Sequence, residues 1–236
     1  MIFRSLASSS FGNAYVVEDA ETRILLECGL TVKKLQRLSD FSLASFGACL
    51  VSHEHKDHAK SVGEIAARGV AVYMSPGTAD ALGLGGGVEL VEHLEQFSVG
   101  TLDIVPFTTF HDAAEPLGFL VKSRIDGDVL AFATDTVNLR YKFPGLSILA
   151  VEANYDAQIL ERSERLPEKV RRRITNSHME IGTLCEYLSQ LDLSRCREIY
   201  LLHLSDAMSR ENEFVRRVRA VVPKNITITV CDKEKK

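Results

Sequence analysis

Within six positions the chain reads His53-Glu54-His55-Lys56-Asp57-His58. Three imidazoles and a carboxylate this close together form a ligand set for zinc or a comparable divalent ion, which takes nitrogen and oxygen donors. In an extended segment His53, His55 and Asp57 fall on one side, because successive side chains alternate. His58, at the start of a following helix, turns back toward the same space, so the cluster offers two pairs of ligands to two adjacent metals. The competing reading is a polar loop of solvated histidines. An apolar strand running straight into the cluster weighs against it, because that strand positions the loop. His111 and His203 also close apolar runs, as does Asp135 after Ala131-Phe132-Ala133-Thr134. A single strand-end histidine is usually a hydrogen-bonded edge residue, and a single aspartate a turn cap. In a chain that already holds the cluster, all three become candidate ligands.

Several elements must position these residues. Strand-like runs are expected over 2–6, 14–18 and 23–27, separated by the turn-rich Ser8-Ser9-Ser10-Phe11-Gly12-Asn13 and by 19–22. Thr31 caps a helix to about 38, strand 48–52 delivers the cluster, a helix covers 59–68, and 70–74 returns as a strand. Further strands are expected at 102–110, 118–123, 129–133 and 148–151. In the last third, Ser177-His178-Met179-Glu180 fits a capping box with Ser177 as the cap. Strand 198–202, helix 211–221 and strand 226–230 follow. Meandering strands interleaved with strand–helix pairs suggest an α/β protein with sheet on sheet and helices outside.

The 236 residues, 45% hydrophobic and 25% charged, fit one globular domain over the whole chain, 1–236. The net charge of −4 excludes a uniformly basic nucleic-acid coat while leaving room for a local basic patch. Five scattered cysteines with no Cys-x-x-Cys point to reduced thiols rather than a disulfide framework. The opening residues lack the apolar stretch of a secretory signal, and no run is long enough to span a membrane. A cytoplasmic protein without a membrane partner is expected.

The order and spacing of these residues resemble the metallo-β-lactamase superfamily: His-x-His-x-Asp-His at 53–58, then His111, Asp135 and His203. The resemblance covers essentially the whole chain. It implies a four-layer αββα sandwich, the metallo-β-lactamase fold, with the site at the sheet edges and two divalent metal ions, zinc or manganese. One metal would take His53, His55 and His111. The other would take Asp57, His58 and His203, with Asp135 bridging. Where the superfamily usually has Asp-x-Gly at the end of an early strand, this chain has Glu27-Cys28-Gly29, so Glu27 is expected to support the site from behind the ligands.

Within that superfamily, Leu6-Ala7-Ser8-Ser9-Ser10-Phe11-Gly12-Asn13-Ala14 is similar to the opening of the YycJ/WalJ-type proteins, a group of proposed DNA exonucleases. His111-Asp112-Ala113, Thr134-Asp135-Thr136 and Lys169-Val170-Arg171-Arg172-Arg173-Ile174 match them too. RNase Z has a similar histidine opening a late helix and a Glu-Ala segment upstream, here His178 and Glu152-Ala153. These likenesses imply a metal-dependent phosphodiesterase, most of all a nuclease of the DNA exonuclease kind, acting through a two-metal-activated hydroxide. Asp57 would handle the nucleophile's proton, His178 would protonate the leaving oxygen, and Glu152 would orient His178. Arg171, Arg172 and Arg173, in a run that also holds Arg162, Arg165 and Lys169, are candidates for substrate phosphates, against the plainer reading of a solvated helix face. Phe11 and Tyr155 are expected to pack among apolar neighbours rather than stack on a base, and His93 to lie on the surface. Two rival functions stand beside the nuclease: a carbonyl hydrolase of the same fold, cleaving a lactone, thioester or β-lactam, and a non-enzymatic, metal-stabilised interaction module.

Overall fold

The apolar runs that open the chain become strands close to where their patterns place them. The computed structural model describes residues 1–163 and 166–232, and within them the chain forms two compact units that interleave along the sequence. One comprises Met1–Thr108 and Ala113–Val129, with Asp232; the other comprises Thr109–Asp112 and Leu130–Cys231.

The first unit begins with β1 (Ile2–Ala7), β2 (Ala14–Glu18) and β3 (Arg23–Leu26), an antiparallel meander. Then come α1 (Val32–Leu38), β4 (Ala48–Leu50), α2 (Lys56–Ala59), α3 (Val62–Ala66), β5 (Ala71–Met74), α4 (Pro76–Ala81) and β6 (Glu89–Leu90). Strands β3 to β6 pair in parallel, so one sheet runs β1 to β6 in sequence order. Parallel neighbours need a crossover, and the helices supply it. Their apolar side chains, Leu35 and Ile65, pack with Val16, Leu25, Cys49 and Val72 in one buried core. A second antiparallel meander follows: β7 (Phe97–Val99), β8 (Leu102–Thr108) and β9 (Leu117–Ser123). It is tied to the β2–β3 turn by the Thr101 N–H, which donates to Thr22 Oγ1 at 2.8 Å.

The helix expected over 59–68 is instead two short ones, α2 beginning earlier at Lys56. The reason lies in the carbonyl groups. An uninterrupted helix would have Asp57 and His58 accept from Ser61 and Val62, four residues on. The Asp57 carbonyl instead accepts the Asn13 N–H at 2.7 Å, and the His58 carbonyl the Cys28 N–H at 2.8 Å. Ser61 is left to donate to the Cys28 carbonyl at 3.0 Å. Long-range hydrogen bonds thus break the helix where the histidine cluster ends.

The second unit contains β10 (Val129–Ala133), β11 (Ile148–Glu152), α5 (Ala157–Arg162), α6 (Glu168–Ser177), α7 (Ile181–Ser189), β12 (Glu198–Leu202), α8 (Glu211–Val221) and β13 (Thr227–Val230). The four strands run parallel in that order. β10 and β11 are buried at every position, as their unbroken apolar runs require of strands covered on both faces. The sequence assigns α5 and α6 no bounds, though a solvated helix face is its plainer reading of the charge run that α6 carries. They are held by Ile159, Leu166 and Ile174 against buried Tyr155, Leu160 and Met208.

The capping expectation needs correction. Ser177 ends α6, and Glu180 caps α7, its carboxylate accepting the N–H groups of Gly182 and of Thr183, the latter at 3.0 Å. His178 therefore opens no helix but lies in the extended link between two. The cause is a competing partner for the backbone. The Asn154 N–H donates to the Met179 carbonyl at 2.9 Å and the Ile181 N–H to the Tyr155 carbonyl at 3.0 Å. These bonds draw residues 178–180 into a strand-like run beside the end of β11.

A candidate metal centre in two parts

In the first unit, β4 delivers the histidine cluster as the apolar run predicted. Ser52 Oγ lies 2.8 Å from His53 Nδ1, so a hydroxyl fixes that ring while its Nε2 faces His55 Nδ1 at 3.1 Å. The His58 ring packs on His53 with centroids 4.2 Å apart. His58 Nε2 lies 3.4 Å from Asp57 Oδ2, and Nδ1 faces Glu27 Oε2 at 3.5 Å. One nitrogen thus turns toward the cluster and the other toward a buried carboxylate, an arrangement that orients histidine ligands in metal sites.

Glu27 itself is fully buried just past β3, with φ +64°. That left-handed conformation is costly for a residue with a long side chain and marks a position held by its surroundings. Both carboxylate oxygens accept the Ser52 N–H, at 3.2 and 3.4 Å. Burial raises the Glu27 carboxyl above its ordinary range, while His58 and Ser52 pull the other way. Glu27→Gln is expected to weaken metal affinity by roughly 10–100-fold without changing which residues bind, because it acts through His58. Metal titration of the variant checks this. Unaltered affinity would remove Glu27 from the site.

Gly29 explains the glycine of Glu27-Cys28-Gly29. A Cβ there would sit 1.7 Å from the Asp57 carbonyl oxygen and 2.8 Å from the His58 nitrogen. No side chain fits, so Gly29→Ala must push the Asp57–His58 backbone away. The expected result is loss of bound metal, read by elemental analysis, with a lowered melting temperature. A variant that kept full metal would show that the loop tolerates the shift. Asn13 braces the same backbone, its Nδ2 lying 3.2 Å from the Asp57 carbonyl and 3.1 Å from His58 Nε2. The sequence offered the Gly12-Asn13 turn as a signal but not this task.

In the second unit, Asp135 and His203 leave their strands with φ +42° and +54°. Both left-handed conformations carry the same kind of cost as that of Glu27. His111 Nδ1 lies 2.8 Å from the Ser177 carbonyl, which can only accept, so Nδ1 carries the proton and Nε2 keeps its lone pair. That Nε2 is 3.6 Å from Asp135 Oδ2. Burial lowers the tendency of His111 to protonate, against the pull of Asp135, which suits a neutral ligand. His203 Nδ1 lies 3.3 Å from both Asp135 Oδ1 and Glu152 Oε1, and the His203 carbonyl accepts Asn154 Nδ2 at 2.7 Å.

Glu152 ends β11 fully buried, with Oε1 2.6 Å from His178 Nδ1. Its Oε2 accepts the N–H groups of Thr136 at 2.8 Å and Met179 at 3.0 Å. Burial alone would raise the Glu152 carboxyl, but His178 and His203 outweigh it and hold it below its ordinary range. For His178 burial opposes the charge, and Glu152 overrides it to raise the pKa. The His178 ring stands 5.4 Å from His111 and 5.5 Å from His203 by centroid, with its side chain 15% exposed.

Asp135, Glu152, His178 and His203 offer donor atoms within 4.8 Å of one another. Imidazole nitrogens and carboxylate oxygens, with no thiolate among them, fit a zinc-like or manganese-like ion.

The three candidate arginines have different surroundings. Arg171 turns its guanidinium to the carbonyls of Leu160 at 2.8 Å, Glu161, Leu166 and Ser163, closing the end of α5. Those donors are spent on backbone, so Arg171 has little left for a phosphate. Arg172 pairs with Glu168 on the exposed helix face. Arg173 reaches Asp112 at 3.3 Å, beside His111. Arg165 and Glu164 lie outside the described residues. Tyr155 packs in the core as expected, and His93 lies on the surface, accepting the Thr108 N–H at 3.1 Å. Phe11 does not pack: it is 80% exposed, on the turn whose Asn13 braces the metal motif.

A β-lactamase superfamily domain model matches residues 22–204. The exodeoxyribonuclease YycJ of Bacillus anthracis is 31% identical over 222 residues, 86% of this chain and 82% of that protein. Among solved structures, the metallo-β-lactamase fold protein YhfI of Bacillus subtilis superposes with a TM-score of 0.75 at 13% identity, covering 99% of this chain and 97% of the other. The short form of human tRNase Z does so at 0.67 and 14%, covering 100% and 98%. At such identities the structural likeness speaks for the fold alone. It is the αββα metallo-β-lactamase fold that the motif order implied.

Proposed function

This chain belongs to the β-lactamase superfamily and is a metal-dependent hydrolase of that fold, and from that premise we propose that it is a nuclease, hydrolysing phosphodiester bonds in DNA before RNA. The observation that carries the reading is the His178–Glu152 pair at 2.6 Å, next to Asp135 and His203. A phosphodiester needs help to expel its leaving oxygen, whereas many carbonyl substrates of this fold can do without it. The name of the Bacillus anthracis relative supports the same choice.

In this reading His53, His55 and His111 would hold one metal, Asp57, His58 and His203 the other, and Asp135 would serve both. Two divalent ions, when bound, would supply Lewis acidity to the scissile phosphate and acidify the attacking water. Asp57 accepts the proton of that water. Glu152 accepts the Nδ1 proton of His178 in a hydrogen bond and favours the charged ring, so the imidazolium holds a second proton on Nε2, and it passes that proton to the departing oxygen. Glu152 cannot swing away, since two backbone N–H groups hold its other oxygen. Arg173, steadied by Asp112, meets a phosphate of the strand.

End-labelled single- and double-stranded DNA and RNA, each incubated with zinc and with manganese, test the proposal. Shortening of labelled DNA is expected. If no nucleic acid is cut while a lactone or thioester is hydrolysed, the carbonyl-hydrolase reading replaces it. No turnover of any substrate, a generic phosphodiester included, would leave the interaction module.

A further inference from the structure

The loop after Asp135 holds a cation in an unusual setting. The Arg140 guanidinium lies over the Phe110 ring, 4.3 Å from its centroid. Among the described residues it pairs with no carboxylate, and the side chain is exposed. Of the arginines already described, Arg171 is committed to carbonyls and Arg172 to Glu168, while Arg173 pairs with Asp112 and serves a different phosphate in the reading above.

Phe110 immediately precedes His111 and is itself fixed. Its N–H donates to Thr136 Oγ1 at 3.0 Å, and its carbonyl accepts the Val137 N–H at 2.9 Å. The ring is therefore tied to both His111 and the residues that follow Asp135. The far side of Arg140 is anchored too, because Tyr187 donates its hydroxyl to the Tyr141 carbonyl at 2.7 Å. A guanidinium stacked on an aromatic face is attracted by the ring and gives up little side-chain freedom later. Stacking uses the flat face and leaves the in-plane N–H groups free to donate, two at once, to phosphate oxygens.

We infer that Arg140 and Phe110 form a subsite for a backbone phosphate of the substrate strand, one flanking the bond that is cut. The inference rests on the nuclease reading, because a substrate with a single phosphodiester has no flanking group to place there. It assigns Arg140 to positioning the strand, with no part in bond breaking.

The test is binding of fluorescently labelled, phosphorothioate-backbone single-stranded DNA to the metal-loaded protein, measured by anisotropy over a series of salt concentrations. Arg140→Gln is expected to bind about tenfold more weakly at low salt. It should also flatten the plot of log affinity against log salt by about 0.7, the share of one single-strand phosphate contact. Arg140→Lys keeps the charge and should restore the slope. Arg216→Gln, which removes an exposed arginine paired with Glu213 on α8, should leave both quantities alone. Hydrolysis of a p-nitrophenyl phosphodiester and the melting temperature should not respond to Arg140→Gln. If wild-type protein binds and cuts DNA while Arg140→Gln keeps its slope and affinity, the subsite is wrong and the nuclease reading stands. Equal slowing of the p-nitrophenyl diester would also overturn it, by placing Arg140 at the reacting centre. If wild-type protein neither binds nor cuts any nucleic acid, the nuclease reading falls first and takes the subsite with it.

Discussion

Replacing His178 by alanine is expected to slow cleavage of natural DNA or RNA by about 10²–10⁴-fold, while leaving a p-nitrophenyl phosphodiester almost untouched. The contrast follows from the leaving group. A sugar alkoxide departs poorly without a proton, and His178, raised in pKa by Glu152, is placed to supply one. p-Nitrophenolate departs readily without it. Metal content should stay at the wild-type level, because His178 is proposed as an acid. Metal content discriminates here, since His178 shares a four-residue group with Asp135, Glu152 and His203 that could itself hold an ion. Loss of metal together with equal slowing of both substrates would make His178 a ligand. If neither substrate slowed, the acid would have to be sought elsewhere and the carbonyl-hydrolase reading would gain.

Stripping the metals should abolish hydrolysis and lower the melting temperature together. A ligand at 100 times its dissociation constant stabilises the folded state by about 2.7 kcal/mol. In a chain of this size that corresponds to about 5–11 °C. Asp135→Ala, which removes the proposed shared ligand, should reduce bound metal from the proposed two ions per chain to one or fewer, with activity near the stripped level. Elemental analysis and a thermal scan read both results. An Asp135→Ala protein retaining two ions and full rate would refute the shared-ligand assignment. Unchanged melting on stripping would deny the ions any part in holding the fold.

Much of this was legible from residue type and spacing, because metal ligation draws on few side chains. The cluster at 53–58 announced itself, and the apolar runs ahead of His111, Asp135 and His203 predicted strand ends. Composition had no such grip on α5 and α6. Their apolar residues are sparse, and what makes them helices is burial of Ile159, Leu166 and Ile174 against Tyr155, Leu160 and Met208. Phe11 went the other way: an aromatic normally packs, yet its turn is committed to bracing the Asp57 backbone and leaves the ring 80% exposed.

By itself, then, the sequence determined which side chains can ligate, that β4 and the later apolar runs lead to them, and the family to which they point. Local pattern suffices there, because strand alternation and ligand chemistry act over a few residues. Only the tertiary structure decided which groups are already spoken for. It showed that Asn13 and Cys28 take the carbonyls that would have continued the helix past His58. It showed that Glu27 stands behind His58, that Gly29 admits no side chain against Asp57, and that Arg171 is spent while Arg140 is not. It moved His178 from a helix start to an extended link, where Glu152 reaches it. Each outcome depends on hydrogen bonds or contacts between residues far apart in the chain, and local periodicity carries no record of such partners.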